Sequence, residues 1–289
     1  MLLKEYKVQF EKELMKIYES KEIESFFYLL LEAFHAMKRI DFVLNPYLEL
    51  DALQLLQWET VLGQLKQEKP IQYILGETNF FGMSFYVNEH TLIPRPETEE
   101  LVDWIIKTVS TFKKEQKIKI LDIGTGTGCI AISLAKNIPM AEVYAIDVSL
   151  KTLEVAERNA RKNNATVHFI HQDILILEKL ESTFDIIVSN PPYVRNAEKI
   201  EIKKNVLDYE PHLALFVEDT NPLIFYKKIA QLAIKGLTEK GCLFFEINQY
   251  LGKEMVELMK ELQFENVDLR KDIYGNDRML IGEKSSFLI

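Results

Sequence analysis

From Lys117 onward the chain alternates short β-prone runs with helix-length amphipathic stretches, and no other feature limits its fold so tightly. "KIKILDIG" (117–124), "AEVYAIDV" (141–148), "TVHFIHQD", "FDIIVSN" and "GCLFFEI" read as strands. "CIAISLAKN", "SLKTLEVAERNARKNN" with Ser149 as its cap, and the stretches around 222–238 and 252–263 read as helices. Strands joined by helical crossovers pair in parallel and carry helices on both faces. "VDLRKDIYGNDRMLIGEK" predicts two final strands about the turn residues Gly275-Asn276, adding an antiparallel strand. The expected fold is a doubly wound, mostly parallel α/β domain.

The preceding residues read differently. Phe26, Phe27, Leu30, Leu31 and Phe34 recur at helical steps, and a second such pattern runs from Asp51 through Leu55, Leu56, Trp58, Val61, Leu62 and Leu65. Residues 1–75 are therefore expected to form a small helical bundle. His35 lies within it with no catalytic neighbours and reads as a packed or half-exposed residue rather than a ligand. "NFFGMSFYVNEHTLIP" is aromatic and β-prone around Gly82, so 76–93 is read as a β-hairpin linker and 94–289 as the main domain.

At 289 residues the chain has room for two cores. Its 47% hydrophobic and 27% charged residues are those of an ordinary globular protein. The formal charge is −9, and basic residues cluster only in short pairs such as Lys113-Lys114. A basic face suited to nucleic acid is missing, so no direct nucleic-acid partner is expected. Cys129 and Cys242 are too far apart to suggest a metal-ligand pair, and two cysteines do not make a disulfide scaffold. A reducing compartment follows. Neither a signal-peptide core nor an apolar run of the ~20 residues a membrane span needs is present. A cytoplasmic chain without metal or membrane is the expectation.

"LDIGTGTGC" follows the first strand of the alternation and opens its helix, where an open α/β sheet binds its ligand. Cys129 occupies the position that a G-x-G-x-x-G dinucleotide fingerprint gives to its last glycine, and no P-loop lysine follows. Asp147, at the end of the next strand and about 20 residues on, suits the two hydroxyls of a ribose. Asp173 ends the third strand, where it could meet an adenine amino group or simply cap a turn. An adenosine-type cofactor is implied.

"IIVSNPPYV" (186–194) ends an apolar strand on Asn190-Pro191-Pro192-Tyr193. One proline suffices to end a strand. An amide or aromatic amine is a poor nucleophile because its lone pair is delocalised, so its NH2 group must be held in line with the group it attacks. The Asn190 side-chain oxygen and the Pro191 carbonyl supply two acceptors, and paired prolines fix the backbone that aims them. Tyr193 is expected to cover the flat group and exclude water. A general base is less necessary, because the alkylated nitrogen is strongly acidic. Adenine in nucleic acid and glutamine in protein both present such a nitrogen.

Asp122 with Gly124, Gly126 and Gly128 resembles motif I of class I S-adenosylmethionine-dependent methyltransferases, and Asn190–Tyr193 resembles the [N/D]-P-P-Y signature of those acting on amide or exocyclic nitrogens. "PIQYILGETNFFGMSFYVNEHTLIPRPETEELVDWI" (70–106), "YEPHLAL" (209–215) and "YGNDRML" extend the likeness. Over residues 70–280 the chain resembles the peptide chain release factor N5-glutamine methyltransferases (PrmC/HemK family). That resemblance implies a seven-stranded Rossmann-like sheet, S-adenosylmethionine as cofactor with S-adenosylhomocysteine as product, and the Gly-Gly-Gln glutamine of class 1 release factors as acceptor. It implies a monomer whose front bundle helps hold the release factor. It maps Gly124, Thr125, Gly126, Thr127, Gly128, Asp147, Asp173, Ile174 and Asn190 onto cofactor contacts, and Asn190, Pro191, Pro192 and Tyr193 onto the catalytic and substrate clamp. A ribosomal-protein glutamine methyltransferase and a DNA adenine-N6 methyltransferase share the clamp; the compact front and "LIPRPETE" favour release factor. Three positions depart from the family pattern: Phe216–Thr220 replaces a Gly-Gly loop, Ile174 stands where many members carry tryptophan, and Asn248 follows Glu246-Ile247 where glycine is usual.

Overall fold

A computed structural model describes residues 1–112 and 117–285 of the chain. The Lys113-Lys114 pair lies outside the described residues. The chain forms two compact units, one of Met1–Gly76 with Lys203–Tyr209 and one of Glu77–Ile202 with Glu210–Ile289. Among the described residues no helix is long and apolar enough to cross a membrane.

The first unit carries α1 (Leu3–Leu14), α2 (Ser20–His35), α3 (Arg39–Leu44), α4 (Ala52–Lys66) and α5 (Ile71–Leu75). Asp51 caps α4 reciprocally: its carboxylate accepts from Gln54 N at 2.8 Å while the Gln54 side chain accepts from Asp51 N at 3.0 Å. Such a box contributes about 1 kcal/mol to the helix. The apolar stripe of α2 buries Phe26, Phe27, Leu30 and Leu31 against Trp58 of α4 and Tyr6 and Phe10 of α1. Phe10 meets Trp58 edge-on at 6.0 Å between centroids. Trp58 is fully buried, and its indole N–H donates to His35 Nε2 at 3.1 Å. Burial lowers the His35 pKa, so the ring stays neutral and free to accept. His35 is half-buried and stacks on Trp58 at 6.0 Å between centroids.

The second unit opens with the hairpin β1 (Glu77–Phe80) and β2 (Met83–Tyr86), then α6 (Pro96–Val109). The alternation follows as β3 (Ile118–Ile123), α7 (Cys129–Asn137), β4 (Ala141–Asp147), α8 (Leu150–Lys162), β5 (His168–His171) and β6 (Phe184–Ser189). Two short strands, β7 (Val194–Arg195) and β8 (Phe216–Val217), pair in parallel, and between them the chain contributes α9 (Lys204–Tyr209) to the first unit. There Tyr209 donates to the Gln67 carbonyl at 2.9 Å and Lys204 pairs with Glu68 at 3.3 Å. The unit closes with α10 (Ile224–Gly236), β9 (Leu237–Glu246), α11 (Gly252–Glu261), β10 (Phe264–Lys271) and β11 (Asp277–Lys284).

The seven-stranded sheet has the order β10-β11-β9-β6-β3-β4-β5. β9, β6, β3, β4 and β5 run parallel, and β11 is antiparallel to both β9 and β10. The final hairpin thus wedges its last strand beside β9. One core lies under α6 and α7, with Leu101, Ile105, Ile130 and Leu134; the other lies under α10 and α11, with Tyr226, Ile229, Met255 and Met259. Burial on both faces explains why the central strands read as continuous apolar runs rather than alternating ones.

Candidate active site

The order of winding reverses at β3, with β4 on one side and β6 on the other. Register brings their ends level: Ile123 pairs with Ile146 of β4 and with Ser189 of β6. The next residues along these three strands are Gly124, Asp147 and Asn190. Three motifs widely separated in sequence therefore meet at the carboxyl edge, where open α/β sheets bind their ligands. A cavity of about 260 Å3 lies there, bordered by Gly124, Thr125, Gly126, Thr127, Asp147, Asp173, Ile174, Asn190, Pro191 and Pro192.

Gly124, Gly126 and Gly128 all have positive φ, at +74°, +57° and +80°. At Gly126 a side chain would have open space but a strained backbone, so glycine is there for conformation and leaves the cavity wall bare. Gly128 differs: it does not line the cavity, and a Cβ there would sit 3.3 Å from the Ala156 Cβ of α8. Close approach of α8 is thus a second constraint that glycine meets at 128. Cys129 begins α7, and burial pushes its thiol up to about 12, so it stays protonated.

The loop is held from below and behind. Asp122, fully buried, accepts from Thr125 Oγ1 at 2.6 Å, and burial pushes its carboxyl up to about 7. Asn159 of α8, also fully buried, donates from one amide to the carbonyls of Tyr86 (3.0 Å) and Thr127 (2.9 Å), and accepts from Tyr86 N at 2.6 Å. It joins the hairpin to the glycine loop. The sequence offered one sign of this: Asn159 falls on the buried stripe of α8 with Thr152, Leu153, Val155 and Ala156.

Asp147 accepts from Gly126 N and Ser149 N, each at 3.0 Å, one bond to each oxygen. A carboxylate has about four lone-pair directions, so roughly two remain for hydroxyls of a ligand. Burial raises its pKa, opposed by the bonds from Ser149 and Gly126. One oxygen of Asp173 accepts from Leu175 N at 2.8 Å, a turn-capping bond that leaves its other oxygen available. Ile174 is buried and presents an apolar wall.

Asn190, Pro191 and Pro192 border the cavity, and the Asn190 amide makes no side-chain hydrogen bond among the described residues. Tyr193 follows directly and is half-buried. It is not part of the cavity lining; it packs against the core under α10 and α11, and its hydroxyl donates to Glu246 Oε1 at 3.1 Å. The hydroxyl is thus anchored on a buried carboxylate at the end of β9.

Residues beyond the hairpin close the front of the cavity. Thr91, Pro94, Arg95 and Thr98 line it, as do Pro211 and Leu213. Arg95 pairs with Glu210 at 2.6 Å, and the second Glu210 oxygen accepts from Ile93 N at 3.2 Å. Arg95 is a third exposed, and its partner is a carboxylate 1% exposed. α6 starts with Pro96 and carries Glu97 and Glu99 in its first turn, as the run after Arg95 predicts. Among the described residues no group of three or more His, Cys, Asp or Glu is placed to hold a metal.

Comparison with known proteins gives consistent likenesses. The family model described as methyltransferase small domain matches residues 107–211, and that of the PrmC N-terminal domain matches residues 6–76. A release factor glutamine methyltransferase of Flavobacterium psychrophilum is 65% identical over 280 residues, covering 97% of this chain and 98% of that one. One from Bacteroides thetaiotaomicron is 42% identical over 272 residues, covering 94% and 96%. Among solved structures, the hMettl16 catalytic domain in complex with an RNA hairpin superposes with a TM-score of 0.55 at 18% identity, covering 72% of this chain and 77% of that one. At that identity the likeness concerns the fold alone.

Proposed function

The chain belongs to the release factor glutamine methyltransferase family, and from that premise we propose that it methylates the side-chain amide nitrogen of the Gly-Gly-Gln glutamine in class 1 peptide chain release factors. The observation that carries the reading is the level alignment of Gly124, Asp147 and Asn190 at one sheet edge around a single cavity.

The cavity suits S-adenosylmethionine, which supplies an electrophilic methyl group when bound. Gly124 and Gly126 give bare backbone for close approach, Asp147 keeps lone pairs for two ribose hydroxyls, and Ile174 with Asp173 offers an apolar wall beside an acceptor. Asn190 and the Pro191 carbonyl accept from the two N–H bonds of the glutamine amide and turn its nitrogen toward the methyl group. The rate gain comes from orientation and fixed dipoles, worth several kcal/mol in a water-poor site. The methylated nitrogen sheds its proton to water, so the chain need not supply a base. The first unit, 1–76 with 203–209, serves in this reading to hold the release factor. A protein acceptor agrees with the net charge of −9, which gives no electrostatic footprint for nucleic acid.

The test is transfer of labelled methyl from S-adenosylmethionine to a purified release factor, beside its Gly-Gly-Gln→Gly-Gly-Ala variant, a ribosomal protein and duplex DNA. Label on the wild-type factor alone is expected. Label on the ribosomal protein or on DNA instead would move the substrate, and none on any acceptor would leave a cofactor-binding module.

A further inference from the structure

The Asn190–Tyr193 turn is gripped from behind by a buried polar cluster whose Glu246 and Asn248 do not border the cavity. Glu246, the last residue of β9, is 1% exposed, and both its carboxylate oxygens are used. Oε1 accepts from the Tyr193 hydroxyl at 3.1 Å, and Oε2 accepts from Thr98 Oγ1 at 2.6 Å. Its main-chain carbonyl accepts from the buried Tyr226 hydroxyl at 3.2 Å, which fixes the strand end that carries it. Two residues on, the buried Asn248 amide donates to the Tyr193 carbonyl at 3.0 Å and to Glu198 at 2.9 Å, while its oxygen accepts from Tyr250 N at 2.9 Å. The Arg278 guanidinium, paired with Asp272 at 3.1 Å, adds a long contact of 3.5 Å to the Tyr193 hydroxyl.

Tyr193 is therefore held at its hydroxyl and at its carbonyl, both by the end of β9. Thr98 borders the cavity and Glu246 does not, so one carboxylate ties the front wall and the turn together without reaching the ligand space. A buried carboxylate is costly unless it is hydrogen-bonded, and here each oxygen accepts from one hydroxyl. Such a network fixes one geometry, because losing either partner leaves an unsatisfied group. The consequence falls on Pro191 and Asn190, whose acceptors must point correctly before the substrate arrives.

We propose that Glu246 and Asn248 are positioning residues that hold the Asn190–Tyr193 turn in its methyl-transferring geometry through Tyr193. The consequence for rate rests on the reading of Asn190 and Pro191 as the amide clamp. A glycine at 248 would have no side-chain amide to offer the Tyr193 carbonyl.

The test uses the full chain with Tyr193→Phe, Glu246→Ala, Glu246→Gln, Asn248→Gly and the Tyr193→Phe/Glu246→Ala double variant. Kinetics with the release factor are combined with hydrogen exchange of the peptide spanning 189–195 and calorimetric titration of S-adenosylmethionine. Tyr193→Phe and Glu246→Ala should each lower kcat about tenfold or more and speed exchange of the turn several-fold, with KM and the cofactor Kd within about threefold. The double variant should be no worse than the poorer single by more than about twofold, since both cut one link. Glu246→Gln, which can accept from Tyr193 and donate to Thr98, should recover most of the rate, and Asn248→Gly should lose a few-fold. Unchanged exchange and kcat in Tyr193→Phe, losses that multiply in the double variant, or a loss confined to KM or cofactor affinity would overturn the assignment. Tyr193→Phe removes one hydroxyl and keeps the packed ring, so it decides the matter even if Glu246→Ala fails to fold. If the turn responds while Asn190→Ala still transfers methyl at full rate, the grip stands and the clamp reading falls.

Discussion

Arg95 and Glu210 lie 115 positions apart in sequence and 2.6 Å apart in space. The pair joins the chain entering α6 to the chain returning from α9, and both of those segments border the cavity. Glu210→Ala removes the partner of Arg95 and leaves Ile93 N without its acceptor. Arg95 is a third exposed, so water recovers part of the loss, and a destabilisation of about 2–3 kcal/mol is expected. Glu210→Gln keeps an acceptor for Ile93 and should lose about half as much. Urea midpoints of the three proteins check this; equal midpoints for Glu210→Ala and wild type would mean that the pair contributes nothing net.

Asp122 makes stability depend on pH. Its folded-state pKa of about 7 lies above its ordinary value of 3.8, because burial penalises the charge. Below pH 4 the group is protonated in both states and costs nothing. As pH rises from about 4 to 7 the unfolded chain releases this proton while the folded chain keeps it, so the stability from Asp122 is lost across that window. Asp122→Asn has no such slope and can still accept from Thr125. Its stability relative to wild type should improve steadily from pH 4 to 7, on the order of a few kcal/mol in total. Parallel urea-midpoint curves for the two proteins would contradict this.

Asn190→Ala should reduce methyl transfer by about a hundredfold or more, the cost of removing one preorganised partner of a reacting group. Cofactor affinity should stay within about threefold, because the backbone turn and the Asp147 site remain. Single-turnover transfer and calorimetry separate the two. If binding vanished with transfer, Asn190 would be holding the cofactor or the fold instead.

Asp147→Ala acts at the other end of the cavity. It removes the acceptor of Gly126 N and Ser149 N as well as the lone pairs assigned to ribose, so S-adenosylmethionine should bind about tenfold or more weakly. At saturating cofactor kcat should recover much of its wild-type value. An unchanged Kd would rule out the ribose role.

The central sheet was readable because its information is local. The apolar runs of β3 and β6, the Ser149 cap, which accepts from Thr152 N at 3.3 Å, and the positive-φ glycines each state their conformation within a few residues. Once parallel pairing is inferred, register brings Gly124, Asp147 and Asn190 together with no further information. What could not be read depends on partners far along the chain. Nothing near Tyr193 says that Glu246 waits behind it, nothing near Arg95 names Glu210, and a lone asparagine in α8 does not announce the Tyr86 and Thr127 carbonyls. α9 is six residues long with little periodicity, and its membership of the first unit follows from contacts with Gln67 and Glu68.

That membership bears on how such chains can be recombined. The first unit is built from two stretches of sequence, with Lys203–Tyr209 lent from within the second. Joining residues 1–76 of one relative to the remainder of another would graft a bundle onto a foreign α9, with Tyr209 and Lys204 facing an unmatched stretch around residue 67. A faithful chimera needs three junctions, at 76/77, 202/203 and 209/210, and a single crossover, whether made by an engineer or by gene fusion, breaks a unit rather than exchanging one.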